Sequence, residues 1–238
     1  MSNVLIGIQA RSTSNRLPQK VHLQIGGKPL LQWVIDSCQI ASRFIQSEGQ
    51  KLDANVTVAL LIPKGDCIGE IYKGQLPIVE GDEHDVLSRY VSAAKQFGAE
   101  HIVRVTGDCL FIPPHHITKH VKAALIKGRD YTTNIHFRSH KEGWDCEVMT
   151  RRLLDWLDEN AKEPSEREHV TTKIANGKPF PFQYLDGKPS ICHLMNHYDE
   201  SEIKTSIDTK EEFEAAKKIM DRYDKLKKDA KRAGTFQT

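Results

Sequence analysis

The segment Gln9-Ala10-Arg11-Ser12-Thr13-Ser14-Asn15-Arg16-Leu17-Pro18-Gln19-Lys20 sets three fixed cations, Arg11, Arg16 and Lys20, among small polar side chains. It directly follows the apolar run Val4-Leu5-Ile6-Gly7-Ile8. A short apolar run that stops at polar and basic residues reads as a buried parallel strand ending in a loop, and ligands of doubly wound sheets bind outside those strand ends. Backbone N–H groups and basic side chains in such a loop can neutralise a polyphosphate. The segment is neither Gly-x-Gly-x-x-Gly nor a Walker A loop, so the generic phosphate motifs lend nothing, and a solvated surface loop is the competing reading.

Two carboxylates fall where such a ligand would lie. Thr106-Gly107-Asp108 puts an aspartate at the end of the strand-like run His101 to Val105, and Asp208 follows a second such run, Lys204 to Ile207. Singly, an aspartate in a turn or beside a helix start is an ordinary structural residue. Taken together they suggest a magnesium site, because that ion takes one or two protein carboxylates and completes its shell with water and phosphate oxygens. Gly143-Trp144-Asp145-Cys146-Glu147-Val148 alternates polar and apolar residues, so as a strand it would carry Asp145 and Glu147 on one face. That face could be solvated, hold a metal, or grip substrate hydroxyls and amines. In Glu166-Arg167-Glu168-His169, Glu168 matches a capping box opened by Ser165, while Arg167 and His169 are candidates to face substrate. His115, His116 and His120 follow Pro113-Pro114 at a helix start and are expected to be surface histidines rather than a zinc cluster, no cysteine being suitably spaced.

The elements that must position these groups follow from periodicity. Leu30, Leu31, Val34, Ile35, Cys38 and Ala41 recur at helical spacing, as do Val86, Leu87, Tyr90, Val91, Ala94 and Phe97 before Gly98. Val56 to Ile62, Ile78-Val79 and His101 to Val105 read as strands between helices, which predicts a mostly parallel sheet covered on both faces. From Tyr131 to Ile207 the pattern changes, with strand-like pieces at 131–135, 146–149 and 191–195, and an inserted subregion is expected within a single domain, 1–238. Thr209-x-x-Glu212 predicts a capped helix through Phe213, Ala216, Ile219, Met220, Tyr223 and Leu226. Its basic end, from Lys227, is expected to fray.

Bulk composition narrows the classes. With 34 Lys and Arg against 32 Asp and Glu, the net charge of +2 argues for no nucleic-acid partner. No apolar run approaches bilayer length and no signal peptide is evident, so the expected setting is the cytoplasm, with no membrane partner. Five scattered cysteines without a Cys-x-x-Cys pair predict neither disulfides nor structural zinc.

In this order, Ile8-Gln9-Ala10-Arg11 through Arg16-Leu17-Pro18 and Lys20, Gly81-Asp82 through Asp85-Val86-Leu87-Ser88-Arg89-Tyr90, Val103-Arg104-Val105-Thr106-Gly107-Asp108-Cys109, Gly143 to Val148, Arg167-Glu168-His169-Val170-Thr171 and Ile207-Asp208-Thr209 span nearly the whole chain. The set resembles the cytidylyltransferase family of spore coat polysaccharide biosynthesis protein F and, more distantly, the Kdo and acylneuraminate CMP-sugar synthetases. Leu110, where the family usually has proline, and Trp144, where it has leucine or phenylalanine, depart from the pattern. The resemblance implies an α/β three-layer, mostly parallel fold of the nucleotide-diphospho-sugar transferase (glycosyltransferase A-like) type, with 131–207 as a substrate and dimerisation subregion of a homodimer. It implies CTP held by Gln9, Ala10, Arg11, Ser12, Arg16, Lys20, Thr106 and Gly107, and Mg2+ on Asp108 and Asp208. Catalysis would rest on Arg11, Lys20, Asp108 and Asp208, and a small acidic or phosphorylated acceptor would lie against Trp144, Asp145, Glu147, Arg167 and His169. The expected reaction moves CMP onto a sugar acid or small phosphorylated metabolite with release of pyrophosphate, in surface polysaccharide or glycoconjugate precursor synthesis. The rival readings are a nucleotide-sugar-dependent glycosyltransferase using Asp145-Cys146-Glu147 for its metal, and a noncatalytic CTP-binding subunit.

Overall fold

The structure, a computed structural model, describes residues 1–49, 52–175 and 190–232. The first half runs β1 (Ser2–Gln9), a 3-10 turn (Lys20–His22), the small hairpin β2 (Gln24–Ile25) and β3 (Lys28–Pro29), α1 (Leu30–Ser47), β4 (Ala54–Pro63), α2 (Ile68–Ile71), β5 (Ile78–Gly81) and α3 (Val86–Gln96). The second runs β6 (His101–Thr106), α4 (Pro114–Lys127), β7 (Tyr131–Thr133), β8 (Glu147–Thr150), α5 (Arg151–Asn160), α6 (Pro164–His169), α7 (Thr172–Ala175), β9 (Ile191–His193) and α8 (Lys210–Arg232). The main sheet has the order β5-β4-β1-β6-β8-β7-β9, and only β8 runs against the rest.

Successive β1 side chains point to opposite faces, so one strand feeds two cores. Val4, Ile6 and Ile8 join Leu31, Val34, Ile35 and Cys38 of α1 and Ile117 and Val121 of α4. Leu5 joins Ala59 and Leu61 of β4, Leu87 and Tyr90 of α3, and Leu153 and Leu157 of α5. Each large side chain so buried contributes about 1.5–3 kcal/mol. Asp85 caps α3 by accepting from the Ser88 N–H at 2.9 Å. Gly7 is required by this packing: a Cβ there would lie 2.6 Å from the Tyr90 ring, whose hydroxyl donates to the Gly7 carbonyl at 3.0 Å. A third cluster seats α8, with Phe213, Ala216 and Met220 against Ile25, Leu30, Leu110 and Ile207.

Several expectations need correction. Within the stretch 131–207, of which 176–189 lie outside the described residues, β7, β8 and β9 join the same central sheet. Lys204 to Ile207 is not a strand; Lys204 makes one isolated bridge to Glu142. The helix expected to open at Ser165 opens two residues earlier, on a capping box of Glu163 and Glu166 with Pro164 in the first turn, which leaves Glu168 unclaimed by the cap. The Thr209/Glu212 box is present as read, with the Thr209 N–H donating to Glu212 at 3.0 Å. Helix α8 holds to Arg232, but Ile219, Tyr223 and Leu226 are exposed, because only the 213/216/220 stripe faces the body. Leu110 packs in that third cluster, so the departure from proline is structural. No described helix is long and apolar enough to cross a membrane.

Candidate active site

The chain builds outward from β1 to β4 and β5, then returns to lay β6 on the other side of β1. The order reverses there, so the loops after β1 and β6 diverge and leave a crevice at their carboxyl ends. A cavity of about 350 Å³ occupies it. Gln9, Ala10, Arg11, Arg16 and Lys20 line it from the first loop, Thr106, Gly107 and Asp108 from the second, and Asp208, Glu168 and His169 from later segments. Gly107 allows the two loops to touch: its N–H donates to the Gln9 carbonyl at 2.8 Å, and a Cβ there would sit 3.0 Å from that of Ala10.

At one end, the Lys20 ammonium bridges the two aspartates, 2.8 Å from Asp108 Oδ2 and 3.1 Å from Asp208 Oδ1, and donates to the Ile207 carbonyl at 3.0 Å. Arg16 and Lys204 also reach Asp208, at 3.0 and 3.1 Å. Burial works against the Asp208 charge, but Lys20, Lys204 and Arg16 together hold its carboxyl below the usual range. Burial likewise opposes the Lys20 charge, and the two carboxylates outweigh it and raise its pKa. Asp208 is carried there by contacts remote from the cavity. Gly143, at φ +97°, lets the 204–208 segment pass so close that a Cβ would fall 2.8 Å from the Thr205 carbonyl carbon, and Thr205 bonds the Glu142 carbonyl through both its N–H and its hydroxyl, at 2.7 and 2.8 Å.

At the other end, Arg11 lies 3.3 Å from Glu168, at the end of α6, and 4.0 Å from Glu83. Beside Glu168, His169 starts a tight turn: the Thr171 N–H donates to the His169 carbonyl at 2.6 Å across Val170, at φ 60° and ψ −58°. This is a γ-turn of the rare positive-φ kind, a strained conformation for a β-branched residue. Complete burial of the Val170 side chain in the α3–α5 core offsets that strain.

The structure separates other sequence candidates from the cavity. Ser12 faces inward: its hydroxyl and N–H both donate to Asp66, at 2.6 and 2.8 Å, so its amide is unavailable to a phosphate. Burial disfavours the Asp66 charge, whereas the N–H of Ile68 and the hydroxyl and N–H of Ser12 draw its pKa down. Glu147, 1% exposed, is the buried partner of Arg104 across the β6–β8 pair and accepts from the Tyr131 hydroxyl. Asp145 lies before β8 rather than in it and forms a two-point pair with Arg138, at 2.6 and 3.2 Å. Arg167 ties α6 to Asp85 and Asp158. Trp144 packs 5.6 Å from His116 and beneath Lys141. His169 alone of the five acceptor candidates lines the cavity.

His116 and His120 are also misplaced by the surface reading; they are 3% and 0% exposed, and only His115 faces solvent. Their i, i+4 spacing on the side of Ile117, Val121 and Ala124 was the available signal. Among the described residues no three His, Cys, Asp or Glu side chains are placed to hold a metal. Arg89 was overlooked as a site residue. It lines the cavity at 2% exposure, donates to the Leu61 carbonyl at 2.9 Å, and occupies space that a Cβ on Gly81 would take, 2.7 Å from its Cγ.

Ligands of open α/β sheets bind at such a switch point, and here it sets a cationic loop opposite two carboxylates, an arrangement suited to the phosphates of a nucleotide. Comparison with known proteins agrees. Residues 5–233 match the family model described as cytidylyltransferase, and the chain belongs to that family. Spore coat polysaccharide biosynthesis protein SpsF of Bacillus subtilis is 29% identical over 222 residues, 92% of this chain and 87% of that protein. A cytidylyltransferase from Leptospira borgpetersenii superposes with a TM-score of 0.80 at 26% identity, covering 100% of this chain and 99% of its own. CMP:2-keto-3-deoxy-manno-octonic acid synthetase, solved with CTP, shares the fold at a TM-score of 0.60 and 15% identity over 93% of this chain and 100% of its own.

Proposed function

We propose that this enzyme transfers CMP from CTP to a sugar acid or small phosphorylated metabolite, releasing pyrophosphate, in the synthesis of surface polysaccharide or glycoconjugate precursors. The observation that carries the reading is the Asp108–Lys20–Asp208 cluster opening on a cavity whose first wall is the Arg11–Lys20 loop. The donor set fits a divalent ion, since two cavity-lining carboxylates of 27% and 15% exposure can supply hard oxygens, and Lys20, which bridges them here, would move onto phosphate when the ion binds. Asp108 and Asp208 would hold magnesium, which when bound would neutralise charge on phosphate oxygens. Arg11 and Arg16 would balance the charge of the triphosphate, with Lys20 beside them, and Gln9, Ala10, Thr106 and Gly107 would support the nucleotide on the strand ends. An acceptor oxygen attacks the α-phosphorus in line, the bond to the pyrophosphate oxygen breaks, and the acceptor's proton passes to solvent or a nearby base. Positioning and charge neutralisation supply the rate. His169, backed by the strained turn, is the residue best placed to meet the acceptor.

The glycosyltransferase alternative needs Asp145 and Glu147 at the nucleotide cavity, and neither lines it, Glu147 being sealed at 1% exposure against Arg104. Screening sugar acids and phosphorylated metabolites with CTP and magnesium, scored by pyrophosphate release, tests the reaction. Binding of CTP, UTP, ATP and GTP tests the nucleotide; equal affinity for all four would refute the cytidylyl assignment.

A further inference from the structure

We propose that Gln9 donates a hydrogen bond to an oxygen of the bound nucleotide, its amide held in one orientation by a buried relay from Tyr131 through Glu147 and Arg104. The inference rests on the CTP reading above, which already sets Gln9 beside the nucleotide, and adds the contact its side chain makes and the residues that position it.

Gln9 is the last residue of β1, in register with Thr106, and lines the cavity directly before the cationic loop. A glutamine amide can rotate to present either its oxygen or its NH2 group. Here the choice is fixed, because the Arg104 Nε–H, 3.0 Å from Gln9 Oε1, can only donate and so demands the oxygen. Among the described residues neither N–H of the Gln9 amide has a partner, and both are available to the cavity that Gln9 lines. Arg104 is fixed in turn by Glu147, whose second oxygen accepts from Tyr131, fully buried. The relay reaches the other end of the site, since the Tyr131 hydroxyl also meets Thr171, the residue that closes the turn behind His169. Burial works against the Arg104 charge and Glu147 outweighs it, so the guanidinium is held above its ordinary pKa.

A buried ion pair adds little stability over well-packed apolar residues of similar volume, because desolvation consumes most of the attraction. What it does provide is direction. Arg104 and Glu147 are therefore positioning residues, and Glu147 acts at the nucleotide through Gln9 without touching it. A nucleotide is the ligand chemistry that fits, for its oxygens accept hydrogen bonds and the three cations following Gln9 suit its phosphates.

Calorimetric titration of the full chain with CTP and magnesium, for wild type, Gln9→Met, Arg104→Lys and the double variant, tests this. Gln9→Met removes the donors while leaving the ion pair intact, and should weaken CTP binding roughly tenfold or more. Arg104→Lys keeps a charge opposite Glu147 but loses the Nε–H that holds the amide, and should weaken it several-fold. The double variant should bind no more weakly than Gln9→Met alone, since Arg104 acts through Gln9. Should Arg104→Lys fail to fold, Tyr131→Phe, which takes one hydroxyl from Glu147, replaces it in the cycle. Unchanged binding by Gln9→Met, or losses that simply multiply in the double variant, would overturn the proposal. Wild type that binds no CTP would overturn the parent reading as well, which separates the two failures.

Discussion

Lowering the pH from 7.5 to 5 should destabilise this protein through two histidines that the fold keeps neutral. His120 Nδ1 lies 2.8 Å from the His116 carbonyl, so it must carry the proton, and Nε2 is buried with no partner among the described residues. His116 Nε2 lies 3.3 Å from Asn134 Nδ2, whose Oδ1 is already the acceptor for the Cys146 N–H, so Nε2 is the unprotonated nitrogen. Burial, and then repulsion from His120 and His140, lowers the pKa of His116 from 6.5 to about 2; burial, with repulsion from His140 and Lys119, lowers that of His120 to about 4 against its hydrogen bond to the His116 carbonyl. The unfolded chain takes up both protons below pH 6.5 and the native state does not. Stability is therefore complete only well above pH 6.5, begins to fall as pH approaches that value, and keeps falling toward the folded values. At pH 5 each histidine costs about 2 kcal/mol, and the pair about 4 kcal/mol, a large share of the 5–15 kcal/mol typical of a domain. This figure depends only on the unfolded pKa while both folded values stay well below 5. Urea unfolding at pH 7.5, 6.5, 5.5 and 5.0 measures it, for wild type and a His116→Gln/His120→Gln variant. A wild-type loss under about 1 kcal/mol, or an equally steep slope in the variant, would refute the neutral-pair argument.

Asp108→Asn and Asp208→Asn should each lower turnover about a hundredfold or more while leaving the unfolding midpoint close to wild type, as expected where charge on a phosphoryl group is stabilised; near-normal turnover at limiting magnesium would remove that carboxylate from the metal site. Gly143→Ala should cost about 1–3 kcal/mol, because it strains a φ of +97° and drives a Cβ into the Thr205–Ser206 backbone. It should also raise the magnesium requirement by displacing Asp208, and a variant with wild-type metal dependence would show that the two segments are uncoupled. Deleting 227–238 should leave the Michaelis constant for CTP unchanged, since the helix is anchored by Phe213, Ala216 and Met220; a large rise would bring the basic end into the site. Light scattering should give twice the chain mass if the homodimer expected from the family forms, and a monomer at working concentration would exclude it.

By itself the sequence determined the alternating strands and helices, because 2.0 and 3.6 residue periods record which side chains are buried locally. Val4 to Ile8, the 86–97 stripe and the Thr209/Glu212 box stand in the structure as the periodicity places them. It also placed Arg11 and Asp108 just past strand ends, and Lys20 in the loop that follows the first, since β1 and β6 stop where apolar residues give way to polar ones. Partner choice across the sheet was not legible, because it is set by the antiparallel register of β8 and by packing between segments far apart in the chain. An aspartate and a glutamate two residues apart, Asp145 and Glu147, read alike in sequence, yet one pairs with Arg138 outside the sheet and the other is sealed against Arg104 within it. Ser12 reads as a loop hydroxyl until Asp66, 54 residues away, claims both its donors. Asp208 reaches Lys20 only because Gly143 leaves room for the strand-less segment that carries it, a constraint made of backbone contact distances that no local pattern contains.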